Sequence, residues 1–180
     1  MKNFLRIAAT SIGLLAAFTL TSCEEDKCKS VVCANSGDCQ DDGSCTCPVG
    51  YEGERCETIT RDKFKGVWGV AESGSISGPI SYSVSIENGT NINEIEIRNF
   101  QNLYDAKVNA YVIGDSIFIP EQQVVDQGDT KTIVGRGAFD IEYFYGLHGK
   151  LVLRYKVTNS DNSVDNFGMD GAENPSIWTK

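Results

Sequence analysis

Ser81-Tyr82-Ser83-Val84-Ser85-Ile86-Glu87-Asn88-Gly89 is the stretch that decides the fold class. Tyr82, Val84 and Ile86 alternate with serines, the period of a strand with one buried face and one in water. Asn88-Gly89 ends the run with two residues that tolerate positive φ, which predicts a type I′ hairpin turn. Beyond it Ile95 and Ile97 alternate with Glu94, Glu96 and Arg98, so both arms of the hairpin are half-buried strands.

The same period recurs in both directions. Val108, Ala110 and Val112 alternate with Lys107, Asn109 and Tyr111, and Leu151, Leu153, Tyr155 and Val157 with Val152, Arg154 and Lys156. Gly114-Asp115 and His148-Gly149 read as further turns. Eight strands are predicted, over 64–72, 80–87, 92–99, 105–113, 115–120, 131–138, 140–146 and 150–158. No segment carries a helical period with caps. Short strands joined by tight turns predict a mainly β antiparallel meander over 63–180, closed as a barrel or stacked as a sandwich.

Phe64-Lys65-Gly66-Val67-Trp68 heads the first strand. It resembles the Gly-x-Trp opening of lipocalins and related calycin barrels. The resemblance implies that Trp68 closes one barrel end and that a basic residue late in the chain packs across its ring. Arg154 is the expected partner, through a cation–π contact. The alternative is a plain core tryptophan in an unrelated sandwich. In the polar tail from Asn159 to Lys180, Ile177 and Trp178 are expected to form a last short strand or to pack back on the sheet. The other reading is an exposed aromatic of a ligand site.

All seven cysteines lie upstream of this sheet, at 23, 28, 33, 39, 45, 47 and 56. Met1 to Arg6 is basic and Ile7 to Leu20 is uncharged and mostly apolar, too short to cross a bilayer comfortably as a helix. Residues 1–22 therefore read as a secretory signal, and secretion permits disulfides. Leu20-Thr21-Ser22-Cys23 resembles the lipobox of bacterial lipoproteins, which implies cleavage before Cys23 and its acylation by palmitate-type chains. Several acyl chains hold firmly to a membrane where one is marginal. This places the chain at the cell envelope, on the outer membrane. Without a lipid, Cys23 would be an odd thiol in a secreted protein. Glu24-Glu25-Asp26-Lys27 resembles the surface-export signals of Bacteroidetes lipoproteins, and reads equally as a solvated tether over 23–27.

The other six cysteines are spaced C-x4-C-x5-C-x5-C-x-C-x8-C, with Gly50-Tyr51 and Gly53 before the last. Spacing alone leaves fifteen pairings open. The segment 28–57 closely resembles an EGF-like module, which implies Cys28–Cys39, Cys33–Cys45 and Cys47–Cys56. So short a segment cannot bury a sufficient core without bridges. A zinc site fits poorly, since paired C-x2-C knuckles are missing and the compartment oxidises thiols. Calcium-binding members of that family carry acidic or amide residues before the first cysteine, where this chain has Lys27, so no metal is expected. Glu57 to Asp62 is a short polar join, so the two regions are expected to sit close together.

Chemistry is sparse. His148 is the sole histidine and falls in an expected turn. No nucleophile, phosphate-loop or dinucleotide motif appears, and neither catalysis nor a cofactor is expected. The formal charge is −9, and removing Lys2 and Arg6 with the leader takes it to about −11. That balance argues against nucleic acid and anionic lipid as partners. Asp115-Ser116-Ile117 resembles the Asp-Ser/Thr-aliphatic O-glycosylation site of Bacteroidetes proteins, so Ser116 is a candidate acceptor. Asn88-Gly-Thr90 is read only as a turn.

The expected function is that of a lipid-anchored, non-enzymatic envelope protein whose β-region carries the ligand. One form is a carrier of a small apolar molecule, in an interior lined by Val84, Ile86, Ile95, Ile97, Val108 and Leu153. The other is an adhesion or assembly module that meets protein or glycan through an exposed aromatic face drawn from Tyr104, Tyr111, Phe144 and Trp178.

Overall fold

A computed structural model describes residues 26–104, 106–140, 149–171 and 174–180. The leader, Cys23, Phe144, His148 and the strand expected at 140–146 beyond Asp140 lie outside the described residues.

The N-terminal region is built from bridges and two minimal ladders. β1 (Asp38–Cys39) pairs with β2 (Cys45–Thr46), and β3 (Tyr51–Glu52) with β4 (Thr58–Ile59). Disulfides join Cys28 to Cys39, Cys33 to Cys45 and Cys47 to Cys56. Each closes a loop of about ten residues, which contributes roughly 2–4 kcal/mol by restricting the unfolded chain. Packing around the last bridge is close. A Cβ on Gly37 would lie 2.7 Å from the Cys56 sulfur, so no larger residue fits there.

The remaining strands form one closed sheet. In chain order they are β5 (Gly66–Gly74), β6 (Gly78–Asn88), β7 (Glu94–Arg98), β8 (Lys107–Ile113), β9 (Ser116–Asp126), β10 (Asp129–Phe139), β11 (Lys150–Thr158), β12 (Val164–Phe167) and β13 (Ser176–Thr179). Each strand from β5 to β11 pairs antiparallel with the next. β13 then lies between β11 and β5 and completes the circle. The result is an eight-strand antiparallel barrel, not the sandwich. β12 continues the line of β13 along β11, pairing 156–158 while β13 pairs 150–153. The pair acts as one strand interrupted between Phe167 and Ser176.

The eighth barrel strand is thus Ser176–Thr179. Four residues suffice because both flanking strands are already ordered, and Trp178 points inward at 0 % exposure. The first strand starts at Gly66, since Phe64 belongs to a 3-10 turn that closes the barrel's end. The Asn88-Gly89 reading also needs correction. β6 and β7 are joined by five residues, and Gly89 donates to the Glu94 carbonyl at 2.9 Å. Glycine is needed there for close approach, because a Cβ would sit 2.7 Å from that of Glu94. A hairpin turn with two positive φ angles does occur, between β9 and β10 at Gln127-Gly128, with φ of 50° and 85°.

Burial follows the alternation, strictly so in β8, where Val108, Ala110 and Val112 face inward. Among the described residues one cluster of 23 buried apolar side chains fills the barrel, seven of them aromatic. An eight-strand barrel is just wide enough for side chains to fill. Its ends are stoppered by aromatics from 3-10 turns. Phe64 packs against Phe139 with the rings tilted and 4.6 Å apart, beside Trp68, and Phe100 meets Tyr155 edge-on at 4.7 Å near Trp178. Large rings fit because small residues oppose them. A Cβ on Gly135 would lie 2.5 Å from that of Tyr155, and one on Gly137 2.7 Å from Leu153 Cδ1.

The register breaks between Ile133 and Gly135 of β10, opposite Pro120 and Glu121, where proline is expected at a bulge. Pro120, just beyond the last β8–β9 pair at Tyr111 and Phe118, has no N–H to offer. The Gln122 side chain replaces the missing rung, donating to the Asn109 carbonyl and accepting from its N–H at 2.7 and 2.9 Å.

Arg61 and Lys63 join the N-terminal region to the barrel. The Arg61 guanidinium donates to the carbonyls of Gly89, Asn91 and Glu94. Lys63 pairs with Glu52 on one side and Asp115 on the other, at 2.8 and 2.7 Å. A Cβ on Gly50 would collide with Ile92, so the two regions are in direct contact.

Candidate functional site on the barrel wall

The residues expected to line a ligand space, Val84, Ile86, Ile95, Ile97, Val108 and Leu153, are each at most 2 % exposed and belong to the packed cluster. The polar group inside the barrel is a seam lock. Glu72 of β5 accepts from the Tyr82 hydroxyl at 2.7 Å and from Ser176 Oγ at 2.5 Å, and the Trp178 indole donates to the same Oγ at 2.8 Å. Those bonds tie β13 to β5 and β6, where the barrel closes. The buried Tyr155 hydroxyl lies beside the same carboxylate and the Tyr82 hydroxyl. Burial pushes Glu72 above the usual carboxylate range, against the opposing hydrogen bonds from Ser176 and Tyr82. Burial, and then the neighbouring Glu72 charge, push Tyr82 far up.

Trp68 is fully buried and donates its indole N–H to the Phe64 carbonyl at 2.7 Å. The cation over its ring is not Arg154. Leu153 and Tyr155 point inward, so alternation puts Arg154 on the outer wall, where it donates to the Gly168 carbonyl at 3.1 Å. Lys180 takes the place, with Nζ 5.2 Å from the Trp68 ring and bonded to the Lys65 carbonyl at 2.5 Å. Burial lowers the Lys180 pKa.

Of the aromatics expected on an exposed face, Trp178 is buried and Phe144 is outside the described residues, while Tyr104 is 84 % and Tyr111 37 % exposed. Tyr111 does not stand alone. Its ring stacks on that of Phe118, 5.2 Å away with planes 15° apart. The ladders extend this pair around the wall, because Phe118 lies opposite Arg136 and Arg136 opposite Arg154. The next row is Ile113, Ser116, Ala138, Val152 and Ile177. All of these side chains point outward or are half-buried.

Two depressions meet at the arginines. One, of ≈ 640 Å³, is lined by Ser116, Phe118, Ala138 and Val152, and the other, of ≈ 760 Å³, by Gly168, Met169, Asn174 and Pro175. Arg136 and Arg154 line both. Like charges directly opposite on neighbouring strands are destabilising, and this chain has an excess of carboxylates to relieve them. Among the described residues, however, the ion pairs engage Lys63, Lys65, Arg98, Lys107, Lys131 and Lys150, and neither arginine. The described carboxylates on these rims are Asp140, already paired with Lys150, and the exposed Asp170. Sequence reading missed Arg136 altogether. Its signal, a cation flanked by glycines, acquires meaning only once the register sets it beside Arg154.

Ser116 opens β9 and is half-buried on the wall of the first depression. Among the described residues no group of three or more His, Cys, Asp and Glu is placed to hold a metal ion. No protein-family model, curated protein or solved structure matches the chain.

Proposed function

We propose that this is a non-enzymatic, lipid-anchored envelope protein that meets its partner with the outer wall of the barrel. Acylated Cys23 is the tether to the outer membrane, and the EGF-like segment 28–57 is a stiff spacer clamped to the barrel by Lys63 and Arg61. The barrel itself is calycin-like in its Gly66-x-Trp68 opening, yet it works from the outside. The observation that carries this reading is the contrast between the two faces of one sheet. Among the described residues the interior is filled by seven aromatic rings and their neighbours, whereas the wall over β8–β11 presents a stacked aromatic pair beside two arginines that no described carboxylate pairs with. A contiguous exposed patch of this kind marks an interaction site more often than chance exposure does.

Two measurements test it. Cys23→Ser should move the chain from the membrane to the soluble fraction, and unchanged fractionation refutes the anchor. The full chain in detergent, screened on arrays of envelope glycans and proteins, should bind through the wall. Phe118→Ala should weaken that binding at least fivefold with the fold intact. Binding indifferent to Phe118 and Tyr111 refutes the wall as the contact. Trp178 is unsuited to this test, because its burial makes any loss of binding a folding effect.

A further inference from the structure

We infer that Arg136 and Arg154 form a subsite for the acidic groups of a polysaccharide, carboxylate or sulfate, with the sugar ring lying over Phe118 and Ala138. This deepens the outer-wall reading and rests on it. The argument begins with the arginines. They face each other across β10 and β11, so their charges repel, and the described carboxylates leave them unneutralised. Guanidinium presents a planar fork of donors that matches a planar or tetrahedral oxyanion with two bonds. An anion set between the two arginines turns their repulsion into attraction. Arg154 is held in place by its bond to the Gly168 carbonyl, which costs it one donor and leaves the rest of the fork for a ligand. Arg136 has no such bond among the described residues.

The surroundings select the body that carries the anion. Phe118 is directly beside Arg136, stacked on Tyr111, and Ala138 and Ser116 keep the floor of the depression low. A flat, partly apolar ring with hydroxyls at its rim suits such a floor. A bilayer of anionic lipid does not. It would confront the whole acidic surface of a chain with charge −9, whereas a sugar chain one residue wide meets only the row of the arginines. An acidic peptide lacks its usual route at this spot, since Arg136 and its β10 neighbours are already paired on both sides, to β9 and to β11, and leave no edge there for strand addition.

The test is a calorimetric titration of the detergent-solubilised full chain with oligogalacturonate, with dextran sulfate and neutral dextran as further arms. Inorganic phosphate and phosphatidylglycerol vesicles complete the set. Saturable binding of the acidic sugars, with none to neutral dextran or vesicles, is expected. Arg136→Gln and Arg154→Gln should each weaken it at least tenfold, and the double variant should abolish it. Arg154→Lys should fall between, since it keeps charge and loses the fork. Thermal unfolding should be unchanged or slightly raised in the glutamine variants, because a repulsion is removed. Binding of acidic sugar that survives the double variant overturns the subsite. Equal binding of neutral dextran overturns the role of charge, and stronger binding of vesicles assigns the arginines to a membrane surface instead. If no acidic sugar binds but Phe118→Ala still weakens capture of another partner, this inference fails and the outer-wall reading stands. If neither happens, both fail.

Discussion

Replacing Phe100 by alanine should remove the stopper from the barrel end opposite Trp68, and its cost follows from the geometry. Phe100 is 0 % exposed, 4.7 Å from the Tyr155 ring and 5.9 Å from Trp178. It is carried on a turn whose backbone is held in an unfavourable shape, with Asn99, Gln101 and Asn102 all at positive φ between 54° and 59°. Left-handed residues cost roughly 1–2 kcal/mol each, less for asparagine, and burial of the ring offsets that cost. Loss of a buried phenylalanine costs about 3–5 kcal/mol, within the stability of about 5–15 kcal/mol usual for a domain. With a urea dependence of about 2 kcal/mol per molar, the unfolding midpoint should fall by about 1.5–2.5 M. The assay is urea unfolding followed by tryptophan fluorescence under non-reducing conditions. The variant should also gain binding of xenon, as a dry apolar cavity does. A midpoint shift below about 0.5 M, or no gain of xenon binding, refutes the stopper.

Other outcomes follow from single contacts. Glu72 is pushed up by burial, so its protonation favours the folded state, and the stability it contributes is greatest below its unfolded pKa and lost as pH rises through the folded value. Glu72→Gln should therefore become more stable relative to the parent as pH increases from 4 to 8, and a difference independent of pH contradicts this reading of the seam. Gly135→Ala places a Cβ 2.5 Å from that of Tyr155, an overpacking cost of about 1–3 kcal/mol that thermal unfolding should report. Lys180→Met should shift the Trp68 indole N–H resonance and cost about 0.5–1 kcal/mol, whereas Arg154→Met should leave that resonance in place. The reverse pattern would restore Arg154 as the barrel-closing cation.

The sheet was legible where alternation was long and the polar partners were strong, as at Tyr82-Val84-Ile86 and Leu151-Leu153-Tyr155-Val157. Closure was less so. It depends on Ser176–Thr179, four residues whose pattern is too short to separate strand from loop. Gly89 misled because one residue type serves two purposes, positive φ and close approach, and only the position of Glu94 distinguishes them. Arg154 is a different kind of error. The alternation that buries Leu153 and Tyr155 already places it outside, so the family resemblance was followed against the local pattern. The wall site was not legible at all, since Phe118, Arg136 and Arg154 are brought together only by the registers of three strands.

The central claim is that this barrel is closed inside and recognises ligands on its wall. The most direct measurement is the amide and side-chain ¹H–¹⁵N spectrum of the full chain titrated separately with a long-chain fatty acid and with oligogalacturonate. The indole N–H groups of Trp68 and Trp178 report the interior, and the Nε–H groups of Arg136 and Arg154 report the wall. The account predicts that oligogalacturonate moves the arginine signals saturably and that neither ligand moves the indoles. Saturable movement of the Trp68 and Trp178 signals by the fatty acid, with the arginines still under oligogalacturonate, would contradict it.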